Sequence, residues 1–374
     1  MSGRHMAGWH NDTVEASVGP LLPLFERERA AGRALALGVL VDTTGSTYRK
    51  PGALILIAGS GEYAGLVSGG CLEEDLREHA HTVIADGGAR LLSYDTRGSD
   101  DLLWGLGLGC EGAMRLLLMR AGPQNAWQPL SHLADALAAH RATAIGVVIE
   151  SARADLPIGS LALAGAAQAA SAGPAVLALP GVQAALEQAA SDGQERWITQ
   201  PAWKVFVVPL SLPPRIALFG AGPDAAPVVE FAARLDWKVT LIDHRPAYAV
   251  AARFPGAERV VLARPDALPA TLDLAGFSAA VVMSHHLPSD LAYLRLLAAT
   301  SIPYIGLLGP AVRREKLLAD LGPDAHRLLP RLRAPVGLAL GGRTPESIAL
   351  AIVAQLHAFV HGAAAAGEPA CNRM

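Results

Sequence analysis

Two cysteines in glycine-rich turns are the side chains of this sequence best suited to nucleophilic chemistry or to binding a soft metal. Cys71 follows a Ser-Gly-Gly turn at 68–70 and precedes a segment, 72–86, with a helical pattern. Because the N-terminus of a helix lowers the pKa of a thiol, this position favours a reactive thiolate. Three acids at 73–75 oppose that effect. A buried structural cysteine is therefore the alternative interpretation.

The second cysteine, Cys110, stands in a segment in which four of the eight residues from 105 to 112 are glycine. Glycine at that density indicates that the backbone closely approaches a ligand or another loop. Thiolates are the soft ligands of proteins, so Cys71 and Cys110 are also the predicted metal ligands. The third cysteine, Cys371, lies in an alanine-rich terminal stretch and is predicted to be incidental.

A dinucleotide-type glycine fingerprint lies in the C-terminal half of the chain. Gly220, Gly222 and Ala225 fit G-x-G-x-x-G/A between a predicted strand, 215–219, and a predicted helix, 226–235. Asp243 ends the next predicted strand, where an acid can bind the hydroxyl pair of a ribose, and Arg245 can instead meet a phosphate. The alternative is a tight strand–helix turn without a ligand, in which Asp243 caps the next loop. Pro223 favours this alternative because it removes an amide donor.

Two further loops follow predicted strands of the same half. His285 and His286 follow the strand at 279–283, and Gly306 and Gly309 bracket the end of the strand at 304–308. Ligands of open α/β sheets bind at the carboxyl ends of the strands, so these loops are candidates for ligand contacts. The alternative is that the histidines, and the arginines at 313–314, are solvated surface residues. No third ligand stands at metal spacing, which disfavours zinc.

The elements that position these residues divide into two types. The first half mixes helices and strands without a βαβ rhythm and is predicted to be α+β, with helices at 22–31, 72–86 and 127–140 and strands at 34–43, 53–58, 114–119, 144–151 and 203–208. The second half alternates short apolar runs with longer helical segments, which is typical of a doubly wound, Rossmann-like parallel sheet. Its strands are predicted at 215–219, 238–243, 259–262, 279–283 and 304–308, and its helices at 226–235, 289–300, 312–321 and 345–361, the last capped by Thr344.

These patterns divide the chain into a flexible N-terminus (1–18), an α+β domain (19–208), a proline-containing linker (209–214), a Rossmann-like domain (215–361) and a flexible tail (362–374). Of the 374 residues, 51% are hydrophobic, which excludes disorder over most of the length. A net charge of −3 without a basic stripe argues against a nucleic-acid binder. The cysteine usage predicts a reduced, cytoplasmic, soluble protein, and prolines and glycines in the uncharged stretch 156–186 argue against a membrane helix.

Eight motifs in order across residues 34–358 resemble the XdhC/CoxI family of molybdenum hydroxylase maturation factors. They are TGSTYRKPGA (44–53), VSGGCLE (67–73), GLGC (107–110), FGAG (219–222), DHRP (243–246), VMSH (282–285), YIGLLG (304–309) and PVGL (335–338). The family pattern often has glycine where Glu111 stands and histidine where Pro223 stands. The first difference concerns the geometry around the ligand. The second weakens the case for ordinary nucleotide binding.

The resemblance implies a chaperone that binds molybdenum cofactor, as molybdopterin or its cytosine dinucleotide form. It implies support of cofactor sulfuration and insertion into apo xanthine dehydrogenase or a related molybdenum hydroxylase, with a cysteine desulfurase as sulfur donor. A homodimer is one assembly that these observations leave open. The competing interpretations are an NAD(P)-dependent oxidoreductase, with His285 as proton-transfer residue, and a non-catalytic scaffold that docks partners. No acid pair or general-base triad stands out in the sequence, which favours a carrier over an enzyme.

The predicted site residues follow from the motifs and the resemblance together. Cys71 and Cys110 are the candidate sulfur-chemistry residues and molybdenum ligands. The predicted cofactor-binding residues are Gly45, Ser46, Arg49, Gly52, Ser68, Gly69, Gly70, Gly109, Gly220, Gly222, Asp243, Arg245, His285, Gly306 and Gly309.

Overall fold

A computed structural model of the chain describes residues 17–70, 72–95, 112–165 and 174–362. These residues form two compact units that divide between Leu212 and Pro213. The division lies within the segment 209–214, where the sequence predicts a linker.

The first unit contains a five-stranded antiparallel sheet. Its strands are β1 (Leu35–Gly45), β2 (Leu54–Ala58), β3 (Tyr63–Gly65), β4 (Arg90–Asp95) and β5 (Gly112–Ala121), in the order β3-β2-β1-β5-β4. β1 is central and is buried from Leu35 to Val41 on both faces, which explains its unbroken apolar sequence. The sequence reading missed β4, an edge strand whose residues are only partly buried or exposed.

A four-stranded antiparallel sheet completes this unit. Its strands are β6 (Ala144–Ser151), β7 (Leu161–Leu163), β8 (Arg196–Gln200) and β9 (Trp203–Pro209), in the order β7-β6-β9-β8. One face of each sheet contributes to a shared core with α1 (Leu22–Ala30) and α3 (Leu130–Ala138). The Trp197 indole donates to the Val41 carbonyl at 2.9 Å and joins the two sheets. The other faces are covered by α2 (Glu73–Asp86) and by α4 (Pro174–Leu177) with α5 (Val182–Asp192).

The predicted bounds of α3 were wrong. The predicted helix begins at residue 127, whereas the observed helix begins at Leu130. Ala126 and Trp127 have φ of 51° and 53°, in the left-handed region, so the helix starts only after Pro129. The uncharged stretch 156–186, read as short elements and turns, contains β7, α4 and the start of α5.

The second unit is a six-stranded parallel sheet. Its strands are β10 (Arg215–Phe219), β11 (Lys238–Asp243), β12 (Arg259–Leu262), β13 (Ala279–Val282), β14 (Ile305–Leu307) and β15 (Leu332–Arg333), in the order β12-β11-β10-β13-β14-β15. This is the 3-2-1-4-5-6 order of a Rossmann fold, and the strand order reverses between β10 and β13. The predicted fold class, an α+β domain followed by a Rossmann-like domain, is confirmed.

Helices cover both faces of the parallel sheet. α8 (Leu287–Ala298) and α9 (Ala311–Leu321) pack on one face, and α6 (Ala225–Arg234) and α11 (Pro345–Val360) on the other. The short helices α7 (Leu268–Thr271) and α10 (Ala325–Leu328) join the first of these cores. Thr344 caps α11 as predicted, since its hydroxyl accepts from the Ser347 amide at 3.2 Å. No helix in the described part of the chain has both the length and the apolar character of a membrane span.

Candidate functional site

The loop after β1 is held against the start of β5. Gly45 pairs with Gly112 at the ends of these strands, and a Cβ at Gly112 would lie 2.5 Å from the Ser46 carbonyl oxygen. Only glycine therefore allows the loop to cross at this point. The loop closes at Gly52, whose φ is 93° and whose amide donates to the Leu40 carbonyl at 2.7 Å. The Thr47 hydroxyl donates to the Arg49 carbonyl at 2.9 Å, which fixes the basic end of the loop.

The turn before α2 is organised by a buried serine and a buried glutamate. Ser68 and Glu73 are 1% and 4% exposed, and the Ser68 hydroxyl lies 2.7 and 2.8 Å from the two Glu73 carboxylate oxygens. The Gly70 amide donates to the Ser68 hydroxyl at 3.3 Å, and the Leu72 amide donates to Glu73 at 3.1 Å. The residues on both sides of position 71 are therefore fixed by the same two side chains.

The acids at the start of α2 are all engaged in local bonds. Glu73 binds Ser68, Glu74 accepts from Arg77 at 2.7 Å, and Asp75 accepts from the Tyr94 hydroxyl at 2.5 Å. Burial, and then this bond to Asp75, raise the pKa of Tyr94 far above its usual range. Of these three bonds, only that of Glu74 is to a cationic side chain, while Glu73 and Asp75 accept from neutral hydroxyl groups.

Gly69 and Gly70 present bare backbone beside the first loop. A Cβ at Gly69 would lie 4.0 Å from the ring of Tyr48, and no described atom lies within 4 Å of a Cβ built at Gly70. Gly70 has a φ of 104°, which side chains rarely adopt. Tyr48 is 58% exposed. The two predicted loops of this unit are therefore neighbours, and among the described residues nothing packs against Gly70.

The three cysteines and Gly109 lie outside the described residues. The predicted thiol ligands, Cys71 and Cys110, therefore stay predictions. Among the residues that the structure describes, no group of three His, Cys, Asp or Glu side chains is placed to hold a metal ion.

In the second unit, the glycine loop connects β10 to α6 at the point where the strand order reverses. Gly220 has a φ of 118°, and a Cβ there would lie 2.6 Å from the Met283 carbonyl oxygen. Glycine is required because the end of β13 passes directly beside the loop. A Cβ at Gly222 would lie 2.7 Å from Oδ1 of Asp224, whose Oδ2 lies 2.7 Å from Nε2 of His285. His285, with a φ of 58°, thus ties the loop after β13 to the glycine loop.

Asp243 fastens β11 to the same loop. Its carboxylate is 1% exposed and accepts from the Ala221 amide at 2.8 Å, and from the Arg245 amide, Nε and Nη2 at 2.9, 2.9 and 2.7 Å. Burial acts to raise the pKa of Asp243, but the bonds from Arg245 and from the Ala221 amide outweigh it and hold the pKa below its usual value. The Arg245 guanidinium also lies 3.8 Å from the centre of the Tyr248 ring.

A second buried acid, Asp290, organises the next part of the edge. It accepts from the Ser284 amide and hydroxyl and from Nη2 of Arg313 at 2.6 Å, and it is 1% exposed. Gly309 allows the arginine to pass, since a Cβ there would lie 2.7 Å from Cδ of Arg313. Arg313 is therefore an ion-pair partner rather than a solvated side chain. The sequence reading missed Asp290, although its place in the first turn of the helix after His285 and His286 was an available signal.

Three buried polar atoms at this edge have no hydrogen-bond partner among the described residues: Oδ1 of Asp224, the Tyr293 hydroxyl and Nδ1 of His244. The Tyr293 ring packs on Phe219, with ring centres 4.8 Å apart. Burial, and then the charges of Asp243 and Asp290, raise the pKa of Tyr293 well above its usual value. None of these three residues was among the predicted site residues.

The structure thus groups the predicted residues by unit. Gly220, Gly222, Asp243, Arg245, His285 and Gly309 lie at the carboxyl edge of the parallel sheet. Gly306 lies inside β14, where a Cβ would meet Val336 at 2.6 Å, so core packing already accounts for it. The predicted cofactor-binding residues of the first unit lie on its two loops. Those that the structure describes are Gly45, Ser46, Arg49, Gly52, Ser68, Gly69 and Gly70.

The second unit is, by strand order and glycine loop, a Rossmann-type domain that follows an antiparallel α+β domain. Residues 216–356 match the XdhC Rossmann domain, and residues 28–95 match the XdhC and CoxI family. Over 327 residues the chain is 32% identical to a Bacillus subtilis (strain 168) protein that is named as a probable xanthine dehydrogenase subunit. The match covers 86% of this chain and 91% of that protein.

A crystal structure of a xanthine dehydrogenase from Bacillus halodurans is also similar. It has a TM-score of 0.73 and 28% sequence identity, and the match covers 93% of this chain and 98% of that one. The chain therefore belongs to the XdhC and CoxI family, as its motifs predict.

Proposed function

We propose that this protein is a maturation factor for xanthine dehydrogenase or a related molybdenum hydroxylase, and that it binds molybdenum cofactor as its cargo. The observation that carries the proposal is membership of the XdhC and CoxI family over both units, together with a relative whose name connects it to xanthine dehydrogenase. In this role the protein supports cofactor sulfuration and insertion, with a cysteine desulfurase and the apo-hydroxylase as partners.

The loops of the first unit suit such a cargo. The cofactor combines an anionic phosphate with a metal on soft sulfur ligands, so a carrier needs amides, cations and thiolates. Bare backbone at Gly69 and Gly70 borders position 71, and the loop that carries Arg49 and Lys50 lies beside it. In the proposal, Cys71 and Cys110 provide the thiolates. Contacts from Gly220, Gly222, Asp243, Arg245 and His285 of the second unit remain predictions.

The four buried carboxylates among the described residues all have partners within the protein. Glu28, Glu73, Asp243 and Asp290 are each at most 4% exposed and are bound to arginines, to serine hydroxyls or to backbone amides. An acid–base catalyst needs a group that is free to exchange a proton with its substrate. These four carboxylates position backbone and loops instead.

Molybdenum retention tests the proposal directly. The full chain is incubated anaerobically with molybdenum cofactor released from a molybdenum hydroxylase, separated by gel filtration and assayed for metal. We expect the native protein to retain molybdenum in stoichiometric amount, and Cys71→Ala and Cys110→Ala to lose most of it without loss of fold. Cys371→Ala is the matched control and should retain the native amount. A native protein that retains no molybdenum contradicts the proposal, and full retention by both cysteine variants contradicts the assigned ligands.

A further inference from the structure

The glycine loop of the Rossmann-type domain contains a negative charge of its own. Asp224 lies between the loop and α6, and its Oδ1 would be only 2.7 Å from a Cβ at Gly222. This is the side of the loop where, in dinucleotide-binding domains, the second glycine lets the pyrophosphate approach the backbone. The carboxylate is mostly buried, with 15% of the side chain exposed.

His285 holds the carboxylate in that place. Its Nε2 lies 2.7 Å from Oδ2 of Asp224, and its φ of 58° is in the left-handed region. A non-glycine residue adopts that backbone conformation only at a cost of about 1–3 kcal/mol, which the surrounding contacts must offset. The pair therefore positions the carboxylate independently of any ligand.

The other carboxylate oxygen, Oδ1, is buried and has no hydrogen-bond partner among the described residues. A carboxylate oxygen only accepts hydrogen bonds, and so does each oxygen of a fully ionised diphosphate. The unpartnered atom can therefore be satisfied by a donor group but not by such a phosphate.

The donors that a diphosphate needs are also reduced. Pro223 removes one amide from the loop, and Pro227 removes another from the first turn of α6. The anion-binding arc of this helix terminus is thus both shortened and already faced by a carboxylate.

Asp243, the acid placed to bind the ribose hydroxyls of a dinucleotide, already accepts hydrogen bonds from the protein. Asp243 is 1% exposed and accepts four hydrogen bonds, from Ala221 and Arg245. A carboxylate has about four lone-pair positions, so a ribose diol would have to displace Arg245 to bind here. The protein's own groups therefore occupy the ribose-binding acid, just as Asp224 faces the glycine loop.

We propose that Asp224 is a specificity-determining residue that excludes the diphosphate of NAD-type dinucleotides from the glycine loop. The electrostatic repulsion between its carboxylate and a diphosphate is screened less in this partly buried site than in bulk water. A ligand group that binds beside Asp224 is then one that donates a hydrogen bond to Oδ1. The inference does not rest on molybdenum cofactor binding and concerns the second unit alone.

Isothermal titration of the full chain with ADP-ribose and with inorganic pyrophosphate tests this assignment. We expect the native protein to show no saturable binding up to about 1 mM of either probe. Asp224→Asn removes the charge at nearly constant size and is expected to raise the affinity for both probes at least about tenfold. Asp236→Asn is the matched control, an aspartate of the same unit that pairs with Lys238, and should behave as the native protein.

Saturable binding of either probe by the native protein would overturn the proposal, and so would an Asp224→Asn variant that binds no better. Asp224→Ser, which keeps a residue suited to a helix N-cap, takes its place if the asparagine variant does not fold. His285→Gln provides a further check: it leaves the charge in place, so both probes should still fail to bind. Because neither probe contains molybdenum, these results are independent of the metal-retention assay.

Discussion

At the scale of single residues, Gly220 is a position where the neighbouring backbone leaves no space for a side chain. We expect Gly220→Ala to lower the free energy of unfolding of the second unit by about 2–4 kcal/mol, because a Cβ would meet the Met283 carbonyl at 2.6 Å in a left-handed conformation. Chemical denaturation measures the change. Gly276→Ala is the matched control: its φ is 79°, but no described atom lies within 4 Å of the added Cβ. Equal losses in the two variants would show that φ alone, and not the close approach of β13, restricts Gly220.

Asp243 is a buried carboxylate that joins β11 to the glycine loop and to Arg245. Asp243→Asn removes the ion pair with Arg245 and weakens the bond from the Ala221 amide. We expect a loss of about 2–4 kcal/mol in the free energy of unfolding, since breaking a buried pair leaves the partner charge uncompensated. Urea denaturation at neutral pH measures it. Asp236→Asn, on a carboxylate that is 34% exposed, should change stability by less than about 0.5 kcal/mol. A similarly small effect at Asp243 would contradict its assigned role.

At the scale of elements, α11 depends on its N-cap. Thr344→Ala should lower the free energy of unfolding by about 1 kcal/mol, because the Ser347 amide loses its acceptor at the start of a helix that packs on α6. Thr344→Ser keeps the hydroxyl and should restore most of the stability. Thermal unfolding of the three proteins measures the difference, and an alanine variant as stable as the serine variant would rule out the cap as a stabilising contact.

At the scale of the whole molecule, the acid stability of the first unit depends on Glu28. This buried carboxylate accepts from Nε of Arg33 at 2.7 Å and from Nε of Arg27 at 3.1 Å. The bonds from Arg33 are the main cause that lowers the pKa of Glu28 from 4.5 to about 2 in the folded protein. A folded-state pKa below the unfolded value contributes stability that is complete above pH 4.5 and is lost as the pH falls toward 2.

We therefore expect Glu28→Gln to lower the free energy of unfolding by about 1–2 kcal/mol above pH 5, the arginines being largely exposed and partly screened. The difference from the native protein should shrink between pH 4.5 and 2. Tryptophan fluorescence follows the unfolding, with Trp127, Trp197 and Trp203 in this unit and Trp237 in the other. Glu26→Gln, on an exposed residue of the same helix, is the control. A difference that is constant with pH would contradict the assigned pKa.

Much of the second unit could be predicted because its information is local. β10, β11 and β12 were predicted with the observed bounds, since each is a short apolar run that ends at a glycine loop, an acid or a turn. The first unit was harder. Its edge strands β4 and β8 carry partly buried and exposed residues, so neither shows the apolar run that identifies β1 or β6. These two strands are defined by their pairing. β4 pairs with β5, which begins 17 residues after β4 ends, and β8 pairs with β9 across a turn.

The sequence alone determined the family, the two-domain organisation of the fold class, the glycine loop and the cap of α11, because these depend on residue types at fixed short spacings. Only the tertiary structure decided what the charged residues do. The sequence left Asp243 open as a ligand contact or a loop cap, and the structure shows its carboxylate accepting from Arg245 and from the Ala221 amide. Asp224 meets His285 from 61 positions away, and Asp290 meets Arg313 from 23. Such pairs form because parallel strands bring distant loops to one edge, where a buried carboxylate must find a donor.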